Sequence, residues 1–419
     1  MKELSNTFDY YILPNKILCS IIGMWPIEQK SSTCSKIFSY VRLIFTLISL
    51  ISLFVPEIML IVVNWGDIEI LAGAGSLVTT LGQTLFKMFY LIARRERSYM
   101  LYHEIKSLWD TANDSKEIQS YIQFAYWARI CTIVFYSSCV CNVITFSSAA
   151  VVDCFRFDYN ANNTNNNRHL PFIVWYGTDI SASPKFEIAF ICQFLSGVLS
   201  ITSIAGLDCS FMTTMLHVSA QFKLINTWIS NIGTEINCNP NYTQKIKVDL
   251  TRCIRHHQRI IHVVNEANNL LTPIVFLQIL TSGIEVCLSG YAILDTGKAE
   301  ADLVKFISYF ISMAVHLLLW CWPGEILVQE SQEIGHAVYF NVPWYDLPPI
   351  YQRYLCLMIV RAQQYSSISA LTFQTLSIHT LTAVSNLNEV LNRIEFKNVI
   401  SLRRKKSILT RLGSKAMKI

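Results

Sequence analysis

Between Ile130 and Val152 this chain carries no charged side chain, and runs of the same kind recur along its length. An α-helix needs roughly 20 apolar residues to cross the hydrocarbon core of a bilayer. Inside lipid every backbone polar group must find a partner within the protein, which leaves helices or closed barrels. The pattern predicts seven helical spans, at about 38–63, 68–92, 124–152, 186–212, 270–295, 303–327 and 366–391. The fourth is uncharged from Ile188 to Leu207 and the sixth from Phe306 to Gly324, while the second is rich in glycine (Gly73, Gly75, Gly82). Composition agrees. Only 15 % of the 419 residues are charged, against about 25 % in soluble domains, and the mean hydropathy is +0.36. The expected fold is therefore all-α, a polytopic membrane protein with seven transmembrane helices. A soluble enzyme, a disordered chain, a collagen-like repeat and a disulfide-stapled scaffold are excluded. The net charge is +5 without a single basic patch, so no nucleic-acid partner is expected.

Orientation follows from the positive-inside rule. With a cytoplasmic N-terminus, the inside segments 1–36, 93–120, 213–269 and 328–365 hold 17 Lys and Arg, and the outside loops between spans hold 4. Arg94, Arg95 and Arg97, directly after the second span, are the strongest anchor. Residues 1–37 then read as a cytoplasmic N-terminus without a cleavable signal sequence. Seven spans place the C-terminus outside. The tail 392–419 opposes this count, because nine more Lys and Arg follow Asn392.

Chemistry-bearing motifs are absent from the pattern: no GxSxG elbow, P-loop or HExxH occurs, so no catalytic residue, metal ligand or cofactor is expected. His256, His257 and His262 read as a solvated face of a cytoplasmic helix. The 13 cysteines read as small buried hydrophobes. Of the three N-x-S/T sequons, at Asn113, Asn162 and Asn241, only Asn162 falls in an outside loop, where it is the expected glycosylation site. Charges inside spans are costly and mark polar interiors. Among them, Lys87, Asp208 and Glu325 sit near inside ends, where snorkelling also accounts for them. Glu285 is the deepest.

The seventh span differs from the rest. It has no charge from Ala362 to Asn388, yet Ser366, Ser369, Thr372, Thr375, His379, Thr382 and Asn386 recur every three or four residues. On a helix these share one stripe, which must face a partner helix or water. Packing by small residues and a pore lining both satisfy that requirement. The connection 213–269 is long for a loop. Leu224, Ile225, Trp228, Ile232, Ile254, Ile261 and Val264 recur at helical intervals, which predicts a helix broken near Gly233–Asn241. With 328–365 it would form a helical cytoplasmic anchor.

The run Trp320-Cys-Trp-Pro-Gly-Glu-Ile-Leu-Val-Gln-Glu-Ser331, followed by Ile334, Ala337, Tyr339 and Trp344-Tyr-Asp-Leu-Pro348, resembles the signature of insect odorant receptors. Leu357–Gln363, Leu371-Thr372 and Pro171-Phe-Ile-Val-Trp-Tyr176 are similar to further segments of the same family. The resemblance runs from the first span to about Val384. The chain lacks the long inserted cytoplasmic loop of the shared co-receptor and so resembles an odour-tuned subunit.

That resemblance implies a subunit of a heterotetrameric, odorant-gated cation channel in the plasma membrane of olfactory sensory neuron dendrites. The implied partners are the odorant co-receptor, a small volatile ligand and membrane lipid. It also implies that Thr372, Thr375, His379, Thr382 and Asn386 line the pore. The volatile would bind in the outer half of the bundle, where position singles out Phe86 and Tyr90 on span two, Asn142 and Phe146 on span three, Gly197 and Ile201 on span four, and Tyr309 and Met313 on span six. Ordinary bundle packing accounts for the same residues. After Val384 the chain departs from the family, with Glu389, Arg393, Glu395 and Lys397 where an apolar helix end is the rule, which implies altered conduction. Alternatives are a gustatory-type chemoreceptor channel, a G-protein-coupled receptor, which needs an outside N-terminus, and a transporter, for which no internal repeat is visible.

Overall fold

A computed structural model describes residues 7–26, 32–113, 118–156, 170–178, 180, 182–238, 243–294, 300–370 and 374–376. The described elements are α1 (Phe8–Ile21), α2 (Thr33–Val63), α3 (Ile68–Ala93), α4 (Arg95–Asn113), α5 (Ile118–Arg156), α6 (Lys185–Cys238), α7 (Thr243–Leu294), α8 (Glu300–Asn341) and α9 (Pro349–Gln363). A short 3-10 turn, Trp344–Asp346, precedes α9, and strands β1 (Ser369–Ala370) and β2 (Gln374–Thr375) follow it.

Length separates the helices into two parts. At 1.5 Å per residue, the 54 residues of α6 and the 52 of α7 each reach about 80 Å, more than twice the roughly 30 Å hydrocarbon core. Their outer halves build the bundle and their remaining halves, with α4, the end of α8 and α9, build a helical body beyond it. Helix α6 is the hub, packed against α1, α2, α5, α7 and α8, and from Phe211 to Ile229 nearly every side chain is buried. A helix buried all round needs no amphipathic stripe, which is why α6 shows no polar face over that stretch. By contrast Ile44 and Ile48 on α2, Ile188 and Ile191 on α6 and Ile311 on α8 are exposed, an apolar outer surface of the kind that lipid covers.

Among the described residues five helices, α2, α5, α6, α7 and α8, are long and apolar enough to cross a membrane. Helix α3 coincides with the expected second span, but it carries Ser76, Thr79, Thr80, Gln83, Thr84 and Lys87, of which all but Thr79 are buried. Its polarity faces inward.

The start of the expected seventh span is a correction. The described residues 366–370 and 374–376 do not open a helix: Ser369 pairs with Thr375 and Ala370 with Gln374 in an antiparallel ladder. Tertiary contacts override the helical spacing there. Asn268 on α7 accepts from the Ser369 amide at 2.9 Å, Ser331 on α8 accepts from the Ser366 amide at 3.0 Å, and Leu376 donates to Ile368 at 2.9 Å. Leu376 passes so close to α8 that a Cβ on Gly324 would lie 2.6 Å from its carbonyl oxygen. Thr375 therefore stands in β2, while Thr372, His379, Thr382 and Asn386 lie outside the described residues, as do Asn162 and the tail 392–419.

A second correction concerns the histidines. His256 and His257 are buried rather than solvated, because α7 continues past the bundle and packs against α6. His256 Nε2 lies 2.8 Å from Gln221 Oε1, and its ring lies 5.1 Å from Trp228. His262 is exposed. Burial, reinforced by Arg259, Arg252 and His257, pushes His256 down to about 4, and burial with Arg361 does the same to His257. Both are neutral at pH 7. An unfolded histidine takes up a proton near pH 6.5, so the stability these two confer is complete above that pH. It is lost as pH falls towards 4. Thermal unfolding of the purified protein should be flat from pH 7 to 8 and fall steadily below pH 6.5, and a His256→Gln variant should show a shallower fall.

Candidate functional site

Two clusters of side chains occupy the bundle interior, one above the other along α3. The outer one forms where the segment 170–178 folds onto the helices. The Phe172 amide donates to Gln193 Oε1 at 3.0 Å, Gln193 Nε2 donates to the Tyr176 hydroxyl at 3.2 Å, and the Trp175 amide donates to the Pro56 carbonyl at 3.3 Å. These bonds drive the Phe172 ring into the bundle. It stacks on Phe146 at 5.9 Å and presses against Gly197, where a Cβ would lie 3.1 Å from the ring. Phe146 in turn meets Tyr309 edge-on at 6.4 Å.

Beneath the aromatic groups lies a polar floor. The Tyr309 hydroxyl is 2.7 Å from Thr80 Oγ1 and donates to the Ser76 carbonyl at 3.2 Å. Glu285 Oε1 accepts from Thr80 at 2.9 Å and from Gln83 at 3.1 Å, and Thr281 donates to Gln83 at 2.6 Å. Asn142 joins α5 to α8 by donating to Ser312 at 2.5 Å. Glu57 on α2 is fully buried within electrostatic reach of Tyr176 and Tyr309. Neither Glu57 oxygen, nor Glu285 Oε2, nor the neighbouring Ser147 hydroxyl has a hydrogen-bond partner among the described residues. Buried polar groups without partners are rare in native proteins and call for a specific reason.

The structure thus brings together four of the eight residues singled out by position: Asn142, Phe146, Gly197 and Tyr309. Phe86 is 41 % exposed on the outward face of α3 and stacks on Tyr90 at 6.0 Å. Tyr90 packs instead towards the inner core. Ile201 joins a separate apolar cluster around Phe135 and Met212, and Met313 is half-buried on α8. Sequence reasoning missed Thr80, Gln83 and Glu57 as members. Their signal was polarity inside apolar runs, which singled out only Glu285.

The inner cluster corrects the snorkelling reading of Lys87 and Asp208. They form a buried ion pair at 2.8 Å, each side chain 2 % exposed. Lys87 also donates to Gln278 Oε1 at 2.5 Å, and His316 Nε2 lies 2.6 Å from Asp208. Trp320 Nε1 lies 3.3 Å from His316 Nε2, with its ring 5.0 Å from the Lys87 ammonium and stacked on Phe211 at 4.2 Å. The pair ties α3, α6, α7 and α8 at one level. Among the described residues no group of His, Cys, Asp and Glu could hold a metal ion.

A bundle of long apolar helices with aromatic and polar groups in its interior is the architecture of a polytopic membrane protein. The profile of the 7tm odorant receptor family matches residues 68–388, and the chain belongs to that family. Odorant receptor 82a of Drosophila melanogaster is 22 % identical over 357 residues, covering 82 % of this chain and 88 % of that protein. Odorant receptor 10 of Aedes albopictus is 27 % identical over 198 residues, 47 % of this chain and 52 % of that protein. The insect olfactory receptor OR5 from Machilis hrabei, solved in complex with eugenol, superposes with a TM-score of 0.75 at 13 % identity, covering 91 % of this chain and 96 % of that one. The signature run now has a physical reading. Trp320 packs the inner ion pair, Gly324 admits Leu376, and Ser331 receives the amide of Ser366.

Proposed function

We propose that this chain is an odour-tuned receptor subunit that binds a small volatile in the outer cluster and gates a cation channel together with the odorant co-receptor. The observation that carries the reading is the chain of ring contacts from Phe172, seated on Gly197, through Phe146 to Tyr309, above a polar floor with unpartnered buried groups. Aromatic walls supply apolar contact area and a few polar groups orient the ligand, the usual division of labour in small-molecule sites. Seven spans, with a cytoplasmic N-terminus and the plasma membrane of the olfactory dendrite as location, belong to the same reading. So do a pore lined by the seventh span and glycosylation at Asn162.

Assembly with a partner is supported by the far end of the molecule. Phe340, Tyr345 and Leu357, with Tyr339, Ile350 and Val360, are large apolar side chains exposed on the end of α8, the turn and α9. They lie beyond the expected spans, where lipid does not cover them. A contiguous exposed apolar patch outside the membrane marks a protein interface.

The test is current recording in cells that express the chain with and without an insect odorant co-receptor, across a panel of volatiles. Odour-evoked current is expected only with the co-receptor. Tyr309→Phe removes one buried hydrogen-bonding group worth about 1 kcal/mol, which corresponds to a shift of about fivefold in the odour dose–response. Phe146→Ala should shift it further, whereas Phe86→Ala, on the outward face, should leave it unchanged. Unshifted responses for both Phe146→Ala and Tyr309→Phe would remove the outer cluster as the binding site.

A further inference from the structure

Below the Lys87–Asp208 pair, on the side of the bundle away from the outer cluster, lies a separate chamber of about 160 Å³. Leu91, Leu207, Phe211, Leu271, Ile274 and Trp320 contribute to its apolar wall, and Arg95 and Ser98 at the start of α4 are among its polar lining. Nothing in the proposed odorant site uses it. A comparable engineered apolar cavity of roughly 150 Å³ takes up benzene, so the space suits a ligand of a similar number of carbons rather than a full lipid chain.

Charge decides what enters. Lys87 and Asp208 neutralise each other in the wall. Thr213 accepts from Asn15 at 2.6 Å, and His217 spends Nδ1 on the Tyr121 hydroxyl at 2.9 Å. Arg95 is half-buried with its guanidinium over the Tyr40 ring at 5.1 Å, and no carboxylate pairs with it among the described residues. Arg94, Glu96 and Arg97 stand near it in the sequence, and of these four charged residues only Arg95 lines the chamber. A guanidinium binds a carboxylate through two parallel hydrogen bonds, and stacking on an aromatic face leaves its N–H edge free. Lys87 on α3 and Arg95 at the start of α4 both line the chamber.

We propose that this chamber is a second small-molecule site, specific for a medium-chain monocarboxylate, with the carboxylate on Arg95 and the alkyl chain directed towards Trp320. The site is independent of the odorant reading, since it shares no residue with the outer cluster.

The probe is 8-bromooctanoate, whose terminal bromine quenches tryptophan fluorescence at close range, titrated into the purified full-length chain in zwitterionic nanodiscs. Saturable quenching is expected, with octanoate displacing the probe at least tenfold better than 1-octanol. Arg95→Gln should weaken binding at least tenfold, Arg95→Lys by less, and Arg97→Gln, whose residue does not line the chamber, within twofold. Leu271→Trp, which fills the space without touching charge, should abolish saturable quenching. The proposal is overturned by linear, non-saturating quenching, or by equal competition from octanol. Equal weakening in Arg95→Gln and Arg97→Gln would also overturn it, because surface potential alone would then explain the binding. Displacement of the probe by acidic phospholipid as effectively as by octanoate would assign the chamber to a lipid and equally overturn it.

Discussion

Lys87→Met is expected to lower the thermodynamic stability of the receptor by about 3–5 kcal/mol, the usual loss when one partner of a buried ion pair is removed. Asp208 would remain fully buried with only His316 to answer its charge, while Gln278 would lose its donor. The pair contributes little net favourable energy relative to an apolar isostere, because taking both charges out of water offsets most of their attraction. The double variant Lys87→Met/Asp208→Leu should therefore recover most of the loss. Surface expression and the thermal midpoint of the purified protein read this directly. If the double variant is as unstable as the single one, the uncompensated charge is not the cause. A selective loss of odour-evoked current by the double variant at normal surface expression would assign the pair a role in gating rather than in folding.

Gly233→Ala is expected to disrupt the helical body beyond the membrane. At Gly233 the α6 backbone runs so close to the end of α8 that an added Cβ would lie 1.8 Å from the Asn341 carbonyl oxygen and 3.3 Å from Val342 Cα. The obstacle is backbone, so no side chain can move aside. α6 and α8 must separate by more than an ångström, in a region where Asn341 Nδ2 also donates to the Ser230 hydroxyl at 2.8 Å. Overpacking of this kind costs about 1–3 kcal/mol locally. The larger consequence is geometric, since the displaced end of α8 leads directly into the exposed aromatic surface of Phe340 and Tyr345. Chemical cross-linking or size-exclusion chromatography of the chain co-expressed with a co-receptor should show reduced assembly. Wild-type assembly with Gly233→Ala would mean that α6 and α8 are not held at this distance. Gly324→Ala, at the Leu376 crossing, makes a useful comparison because it perturbs the β1–β2 ladder and leaves the aromatic surface in place.

The long helices were legible in the sequence because their cause is local. A charge-poor run over 20 residues, as at Ile130–Val152, has to bond its backbone to itself in lipid, and the apolar spacing of Leu224, Ile225, Trp228 and Ile232 extended α6 past the membrane before any contact was known. The signature from Trp320 to Ser331 was legible as a pattern, and it led to the family. Its reasons were not legible, because they lie in partners more than 40 residues away, such as Leu376 at Gly324, or far earlier in the chain, such as Lys87 at Trp320. The β1–β2 ladder escaped for the same reason: helical spacing of Ser and Thr is a local signal, and Asn268 and Ser331 outweigh it from other helices.

Position along a span brought only four of its eight candidates into the outer cluster. Depth in the membrane can be counted from a sequence, but the direction a residue faces cannot be read where a helix is apolar on every side. Phe86 and Tyr309 both lie within expected spans, yet one ring faces outward and the other closes onto Thr80. The polar residues of α3 carried the missing information, since a Thr, Gln or Lys in a span faces inward unless it can snorkel. Hydrophobicity and backbone hydrogen bonding along single segments set the long apolar helices, and the local pattern carried the family signature. Tertiary structure alone decided which side chains meet: the Lys87–Asp208 pair, the aromatic group around Gly197 and the crossing at Gly233, because each depends on how several helices rotate and approach when they pack.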